Sequence, residues 1–308
     1  MDSNITFGQL SEVWIEAKRK LVKHSSLCAY NLALTTHILP VFANSTIIAE
    51  EDVQKFVLDK LTSGLSRQSV RNIYAILKAI VRFGSKRGIY QSPEWEIEFP
   101  TVTTRRSLPV LSTAHHKKLL RHLTQQPTVD NIGILLALCT GMRIGEVCAL
   151  QWKHVDFKRR IIFISQTLGR IYNVETKSTE RTLSSPKSKT SNREIPISKE
   201  LFAALKSIRG KTDDDCFVLG CNCEPKEPRS YRDYFTRLLV RLNIPKIVFH
   251  GLRHTFATRS IECGCDYKTV SVILGHSNVA TTMNLYVHPN YDQKKRCIDR
   301  LSKYLTIR

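Results

Sequence analysis

The sequence predicts a mainly α-helical protein with a small antiparallel β-sheet, an α+β fold divided into two domains. Apolar residues recur at three- and four-residue spacing along most of the chain, which is typical of amphipathic helices. Two short β-branched runs, at 161–165 and 193–197, interrupt that spacing and predict strands. With 308 residues, 42% of them hydrophobic, the chain is long and apolar enough to bury two cores.

Amphipathic patterns predict four helices in the first part of the chain. The first helix opens with a capping box between Thr6 and Gln9. The second is expected to end just before Pro40, because proline rarely continues a helix. Ser66 is placed to cap the fourth helix. We therefore predict a small helical bundle over residues 1–92.

Residues 93–109 have no helical periodicity. Three prolines and several threonines in this stretch predict an extended connection between domains. Helices resume at Ser112 and alternate with the two predicted strands, and a polar, basic segment between those strands holds a further strand near 170–174. The second domain therefore covers 110–308 and ends in a tail helix at about 291–308.

The charge of the chain is strongly positive and unevenly distributed. There are 47 Lys and Arg residues against 27 Asp and Glu, a formal net charge of +20. Residues 1–100 carry 12 basic and 10 acidic residues, or +2, which leaves 35 and 17, or +18, for residues 101–308. This excess favours a polyanionic partner, nucleic acid before any other. The first part still has a local basic stripe on one predicted helix, formed by Arg67, Arg71, Lys78 and Arg82.

Several classes of protein are excluded at this stage. No apolar run approaches the roughly 18 residues that a membrane span requires, and the first residues lack the regions of a signal peptide. Nine cysteines, an odd number, favour reduced thiols over a disulfide framework in a chain of this length. We expect a soluble, cytoplasmic protein without membrane contact whose cysteines, Cys216 and Cys223 included, are reduced.

Metal and nucleotide sites are not predicted. The acidic run at 213–215 has no accompanying calcium-loop glycine, which favours a solvated loop. The cysteine spacings differ from those of zinc sites. The segment that ends in Gly210-Lys211-Thr212 has Leu205 where a phosphate-binding loop needs its first glycine.

Two pairs of side chains stand at predicted helix starts. Arg143 follows a helix stop at Gly141, and Glu146 lies three residues later, within reach of its guanidinium group. His250 and Arg253 have the same spacing, so that a titratable ring and a planar cation can converge on one anion. Either pair alone is common on an ordinary helix surface.

A third segment, at 274–286, completes a pattern with these two pairs. His276 follows Gly275 in a tight turn between two helices, and Tyr286 lies ten residues further on. In order and spacing, the three segments resemble the tyrosine recombinases, the phage and conjugative-transposon integrase family. The resemblance rests on Thr-Gly-Met-Arg-Ile-Gly-Glu at 140–146, His-Gly-Leu-Arg-His-Thr-Phe-Ala-Thr at 250–258 and Leu-Gly-His-Ser-Asn-Val-Ala-Thr-Thr-Met-Asn-Leu-Tyr at 274–286.

The resemblance extends over nearly the whole chain and implies a role for each matched residue. Residues 1–92 resemble the core-type DNA-binding domain of the family, and 110–308 resemble its catalytic domain. The implied catalytic residues are the two phosphate-holding arginines, the central histidine, the last activating residue and the nucleophile: Arg143 and Arg253, His250, His276 and Tyr286. Glu146 resembles the supporting acid of the family.

The family also has a catalytic lysine on a β-hairpin turn. The basic segment just before the 193–197 strand fits such a turn. Lys189 is preferred because it stands four residues before Arg193, as the lysine of the family precedes a comparable basic residue. Lys187 is the rival assignment.

Double-stranded DNA at attachment or core sites is the implied partner. The predicted DNA contacts are Arg67, Arg71, Lys78, Arg82, Arg105, Arg106, Lys187 and Arg193. The resemblance further implies a homotetramer on DNA, joined through the C-terminal helix, and leaves open whether accessory DNA-bending proteins take part.

The implied activity is site-specific recombination, which integrates and excises a mobile element through a 3′-phosphotyrosyl intermediate. One phosphodiester is exchanged for another, so no cofactor or metal is required. Two alternatives stay open at the level of sequence. One is a non-catalytic DNA-binding regulator on the same scaffold, and the other is a DNA-relaxing enzyme similar to type IB topoisomerases.

Overall fold

The computed structural model describes residues 5–90, 94–101, 109–173, 178–185, 191–221, 223–286 and 291–305. The chain divides into two units, Met1–Arg105 with Arg170–Glu180, and Arg106–Gly169 with Arg181–Arg308. Helices dominate both units, and the strands form small antiparallel sheets. The predicted fold class is confirmed.

The first unit is a helical bundle around one apolar core. Its helical segments are α1 (Phe7–Arg19), α2 (His24–Ala33), a π-helical turn (Leu34–Ile38), α3 (Leu39–Phe42), α4 (Glu50–Thr62) and α5 (Arg67–Ser85). The predicted capping box is present, because Thr6 and Gln9 each accept a hydrogen bond from the backbone N–H of the other. Ser66 caps α5 as predicted, through a hydrogen bond from the Ser69 N–H at 3.1 Å.

The second helix does not end before Pro40, as the sequence predicts. A π-helical turn separates α2 from α3, with the Leu39 N–H donating to the Leu34 carbonyl oxygen, and Pro40 lies in the first turn of α3. Proline is tolerated at that position because the first N–H groups of a helix have no partner within it. The chain therefore stays helical as far as Phe42.

Residues 94–101 have no helix or strand and pack on the first unit. Trp95 is buried in the core, and its indole N–H donates to the Ile48 carbonyl oxygen at 3.3 Å. Gln54 of α4 binds the backbone of Glu98 twice, accepting from its N–H at 2.9 Å and donating to its carbonyl oxygen at 3.1 Å. This part of the predicted connection is thus fastened to α4.

The second unit is built around α7, which is buried on nearly all sides. The helices of this unit are α6 (Thr113–Gln125), α7 (Val129–Thr140), α8 (Ile144–Cys148), a 3₁₀ turn (Trp152–His154), α9 (Lys199–Arg209), α10 (Pro228–Arg241), α11 (His250–Glu262), α12 (Tyr267–Leu274), α13 (Val279–Tyr286) and α14 (Tyr291–Leu305). Helices α6, α8, α9, α10 and α11 all pack against α7. A helix that is apolar all round is suited to this central position.

The described residues also form three small sheets. The strands are β1 (Val155–Asp156), β2 (Ile161–Ile164), β3 (Thr167–Asn173), β4 (Ser178–Ser184), β5 (Arg193–Pro196), β6 (Gly220–Cys221) and β7 (Glu224–Pro225). β2 lies between β1 and β5, with Ile162 opposite Ile195 and Ile164 opposite Arg193. β3 pairs with β4, so the described residues between the two predicted strands include two strands where the sequence predicts one.

Cys216 and Cys223 form a disulfide, so the expectation of reduced cysteines is wrong for this pair. Their Cα atoms lie 4.3 Å apart because the chain turns back on itself between β6 and β7. Spacing in the sequence does not predict that turn.

None of the helices within the described ranges combines the length and hydropathy that a membrane-spanning segment needs.

Candidate active site

The end of α7 positions the first predicted catalytic residue. Gly141 ends α7 in the left-handed conformation, with φ at 68°. A Cβ atom on Gly141 would lie 2.6 Å from a Leu274 methyl carbon and 2.7 Å from the Phe256 ring. Glycine is therefore required both by the turn and by the close approach of α11 and α12. Two residues later the chain enters α8 at Arg143, its N-cap residue.

Glu146 is a buried carboxylate bound to two arginines. It accepts from Arg143 at the backbone N–H (2.9 Å) and Nη1 (2.8 Å), and from Arg193 at Nη1 (3.2 Å) and Nη2 (2.9 Å). The side chains of Glu146 and Arg193 are each 3% exposed, whereas that of Arg143 is 38% exposed. Burial raises the pKa of Glu146, but the hydrogen bonds and charges of the two arginines outweigh burial and lower that pKa below its ordinary value.

Three arginines meet the C-terminal end of α12. Its last carbonyl oxygens accept hydrogen bonds in sequence: Ile273 from Arg193 Nε at 2.5 Å, Leu274 from Arg253 Nη2 at 2.7 Å and Gly275 from Arg143 Nη2 at 3.4 Å. The final carbonyl groups of a helix lack partners within it and carry the negative end of its dipole, so cations bind there. The end of α12 thus brings together residues from three distant segments of the chain.

Arg253 joins the ends of two helices. Its Nη1 donates to the Gly141 carbonyl oxygen at 2.8 Å, and its Nη2 binds the end of α12. One turn earlier, His250 begins α11 and packs edge to face against His254, with ring centroids 4.7 Å apart. Partial desolvation, followed by the charges of His254, Arg253 and Arg143, lowers the pKa of His250 to about 4. The His250 ring is therefore neutral at neutral pH.

His276 follows the end of α12 directly. Its Nδ1 lies 2.8 Å from the hydroxyl oxygen of Thr282, a buried residue of α13. Burial, followed by the charges of Arg253, Arg143 and Arg193, lowers the pKa of His276 to about 4. A neutral ring fixed through one nitrogen can offer the other to a ligand. Sequence reasoning missed Thr282, because no helical spacing relates it to a histidine in a turn.

Five of the predicted site residues are described incompletely or not at all. Tyr286 is the last residue of α13, but its side chain lies outside the described part of the structure. Lys187 and Lys189 also lie outside it, as do the predicted DNA contacts Arg105 and Arg106. Within the described residues, His, Cys, Asp and Glu side chains form no group of three or more that could hold a metal.

Helix α5 carries the predicted basic stripe of the first unit: Arg67, Arg71, Lys78 and Arg82. Arg71 lies over the Phe99 ring, 5.2 Å from its centroid, and Arg82 is exposed. Arg67 is partly buried and donates to the Phe99 carbonyl oxygen at 3.4 Å, so it also fastens residues 94–101 to the bundle. The DNA contacts of this stripe stay predictions.

Arg193, a predicted DNA contact, lies in the interior of the structure. Residues alternate along β5, so that Arg193 and Ile195 are buried while Glu194 is exposed. The guanidinium group is bound by Glu146 and by backbone carbonyl oxygens. The alternation with Ile195 is visible in the sequence and could have indicated this burial.

Comparison with known proteins identifies the family of this chain. Residues 109–293 match the model of the phage integrase family, and residues 6–61 match that of the phage integrase N-terminal SAM-like domain. The XerC-like tyrosine recombinase of Caldanaerobacter subterraneus subsp. tengcongensis is 25% identical, over 97% of this chain and 83% of its own. The transposase from transposon Tn916 of Enterococcus faecalis is 26% identical, over 83% of this chain and 67% of its own.

A solved structure extends the similarity to the fold. The Tn1549 transposon integrase in complex with circular intermediate DNA superimposes with a TM-score of 0.77 at 26% identity, over 96% of this chain and 100% of that one. The match to the phage integrase family alone spans more than half of the 308 residues. The chain therefore belongs to the phage integrase family and is a tyrosine recombinase, as its three motifs predict.

Proposed function

We propose that this recombinase integrates and excises a mobile element by exchanging DNA strands through a covalent link to Tyr286. The observation that carries the proposal is the convergence of Arg143, Arg253 and His276 at the end of α12. Two of the hydrogen bonds that bring them together are long-range. Arg253 and Gly141 are separated by 112 positions in the sequence, and Arg143 and Gly275 by 132. Guanidinium groups beside a neutral imidazole suit the non-bridging oxygens of a phosphodiester.

In the proposed reaction, the Tyr286 oxygen attacks the scissile phosphorus and the bond from phosphorus to the 5′ oxygen breaks. His250 accepts the phenolic proton, which it can do because its low pKa keeps the ring neutral. Lys189 donates a proton to the departing 5′ oxygen. Arg143 and Arg253 stabilise the negative charge on the non-bridging oxygens, and His276 donates to the same oxygens.

The product is a 3′-phosphotyrosyl link and a free 5′-hydroxyl group. Attack by the 5′-hydroxyl group of a second strand reverses these bond changes and releases Tyr286. Each phosphodiester broken is replaced by another, so the exchange needs no nucleotide cofactor.

The named relatives support a mobile element and duplex DNA as the targets. One relative is a transposon transposase, and the Tn1549 transposon integrase is bound to circular intermediate DNA in its structure. By this likeness we assign attachment or core sites on duplex DNA to this chain as its substrate. The corresponding location is the cytoplasm, where that DNA lies.

We further propose a homotetramer on DNA that is joined through α14. Ile298, Leu301 and Leu305 recur at three- and four-residue spacing on this helix and are 65%, 53% and 64% exposed. An amphipathic helix with an uncovered apolar stripe is suited to bind a groove on another protein. Because recombination brings several copies of the protein together on DNA, we propose that the groove belongs to a second copy of this chain.

A nicked suicide duplex that carries the native attachment sequence tests the proposal. Wild-type protein is expected to form a covalent adduct that maps to Tyr286, and Tyr286→Phe is expected to form none. Absence of a wild-type adduct, or an adduct of the phenylalanine variant, would contradict the mechanism. Relaxation of a supercoiled plasmid without paired sites would favour the topoisomerase-like alternative. Recombination by the purified protein alone would exclude a requirement for accessory DNA-bending proteins.

A duplex with sulfur in place of the bridging 5′ oxygen distinguishes Lys189 from Lys187. A thiolate leaves without protonation, so loss of the general acid has less effect on this substrate. Lys189→Ala is expected to cleave the ordinary duplex slowly and the sulfur-containing duplex at nearly the wild-type rate. If Lys187→Ala shows that pattern instead, Lys187 is the acid.

A further inference from the structure

The candidate site contains a buried arginine that the proposed mechanism does not use. Arg193 donates through Nε to the Ile273 carbonyl oxygen at 2.5 Å and through Nη1 to the Ser191 carbonyl oxygen at 3.1 Å. Its Nη1 and Nη2 also bind Glu146 at 3.2 and 2.9 Å. All three guanidinium nitrogens therefore donate hydrogen bonds, and the groups that accept them lie on three separate segments of the chain.

Glu146 transmits the position of Arg193 to Arg143. Oε1 accepts from Nη1 of both arginines, and Oε2 accepts from Arg193 Nη2 and from the Arg143 backbone N–H. A carboxylate has about four acceptor positions, so the two arginines occupy all of them. If Arg143 turned away, part of a buried charge would lose its partner, which is costly.

The same guanidinium group fixes the end of α12. Ile273 is three residues before His276, and the Gly275 carbonyl oxygen between them accepts from Arg143 at 3.4 Å. Because a guanidinium group is planar and rigid, its bonds to Glu146 and Ile273 set the distance between α8 and the His276 turn. A lysine at 193 would keep the charge but not this geometry.

We propose that Arg193 is a positioning residue for strand cleavage. Through Glu146 it holds the Arg143 guanidinium group in register with the His276 turn, so that both meet the same scissile phosphate. Arg193 itself does not touch the DNA, because all three of its guanidinium nitrogens donate to acceptors within the protein. This inference rests on the proposed roles of Arg143 and His276.

The test compares two suicide duplexes, one with an ordinary scissile phosphodiester and one with a methylphosphonate. A methyl group in place of one non-bridging oxygen removes the negative charge that Arg143 neutralises. Arg193→Gln is expected to slow adduct formation on the ordinary duplex on the order of 100-fold, the size of effect that misplaced catalytic groups produce. On the methylphosphonate the loss is expected to shrink to about 3-fold or less, because the misplaced charge then matters little.

Arg159→Gln is the matched control. Arg159 lies 3.3 Å from Glu194, the neighbour of Arg193 on β5, in a pair whose side chains are 63% and 51% exposed. We expect wild-type rates on both duplexes for this variant. Arg193→Lys is expected to show the same selective loss as Arg193→Gln, and it provides the comparison if the glutamine variant does not fold. Thermal unfolding and duplex binding report the folding of each variant.

Equal losses on the two duplexes, or no loss in a folded variant, would overturn the inference. Either result would mean that Arg193 acts only on the general stability of the fold or not at all. The wild-type adduct separates this failure from that of the proposed function. If wild-type protein forms no Tyr286 adduct on the ordinary duplex, the proposed function fails, and the inference fails with it.

Discussion

Among single residues, Glu146 gives the site a stability that depends on pH. Burial alone would raise its pKa, but Arg193 and Arg143 lower that pKa below the ordinary value of 4.5. A carboxyl group with a lowered pKa in the folded state stabilises the fold above its unfolded pKa, and this contribution is lost as the pH falls below it. The free energy of unfolding of the wild type is therefore expected to decline below about pH 4.5.

The variant Glu146→Gln checks this prediction. At about pH 7 we expect it to lower the free energy of unfolding by about 3 to 5 kcal/mol, because Arg193 keeps a buried charge without its counter-ion. Its decline in acid is expected to be smaller than that of the wild type, since the titrating group is gone. Urea unfolding at a series of pH values measures both effects, and equal declines in acid would contradict the prediction.

The histidines of the site predict the pH dependence of cleavage. Desolvation and the nearby cations lower the pKa of His250 and of His276 to about 4, from an ordinary value of 6.5. A ring that accepts the proton of Tyr286 must be neutral, so the rate falls only when the pH approaches the lowered pKa. We expect single-turnover adduct formation to show no loss near pH 6.5 and to fall as the pH approaches 4. A decline centred near pH 6.5, with circular dichroism unchanged, would contradict this assignment.

The side chains with a proposed chemical role are easier to recognise in the sequence than the groups that hold them. Arg143, Arg253 and His276 follow from motifs of fixed spacing, and the structure places all three at the end of α12. Arg193 and Thr282 make contacts that depend on the fold. Arg193 joins β5 to α8 and α12, and Thr282 of α13 contacts His276 in the preceding turn. A basic residue near a basic segment suggests DNA contact until its burial is known.

At the scale of elements, the glycine that ends α7 predicts a local loss of stability. Gly141→Ala would place a Cβ atom 2.6 Å from Leu274 and 2.7 Å from Phe256, at a φ of 68°. Gly64→Ala is the matched control, because Gly64 has φ at 91° with no atom within 4 Å. We expect the control to cost about 1 to 2 kcal/mol from the backbone alone, and Gly141→Ala to cost about 1 to 3 kcal/mol more from overpacking. Similar losses for both variants in urea unfolding would contradict the packing argument.

Elements were predicted best where one local pattern decides them. Thr6 and Ser66 cap the helices expected of them, because a cap needs only three or four neighbouring residues. Pro40 gave a wrong helix end, since a π-helical turn just before it is not encoded in apolar spacing. The fastening of Glu98 by Gln54 joins residues 44 positions apart, which no local pattern predicts.

At the scale of the whole molecule, we expect most of the excess positive charge to contribute to DNA affinity and only a few cations to contribute to catalysis. Each phosphate contact that is lost is expected to reduce the dependence of the logarithm of Kd on the logarithm of salt concentration by about 0.9. We expect this reduction for Arg71→Gln and for Arg82→Gln on α5. Arg193→Gln is expected to leave the slope unchanged, because all three guanidinium nitrogens of Arg193 already donate to groups of the protein. Binding titrations over a range of salt concentrations measure the slopes, and a reduced slope for Arg193→Gln would contradict its interior role.

The exposed apolar stripe of α14 predicts how copies of the protein assemble on DNA. Ile298 and Leu301 are more than half exposed and belong to none of the buried cores, so aspartate at either position is expected to leave the fold intact. A charge on the apolar stripe would oppose docking into a groove of a second copy. We therefore expect Leu301→Asp to bind and cleave a single site at the wild-type rate but to lose synapsis of two sites, and with it recombination. Lys303→Gln, on the same helix, is the control and is expected to retain synapsis. Removal of the chain after Tyr291 should reproduce the aspartate result, and unchanged synapsis in both would mean that α14 does not join the copies.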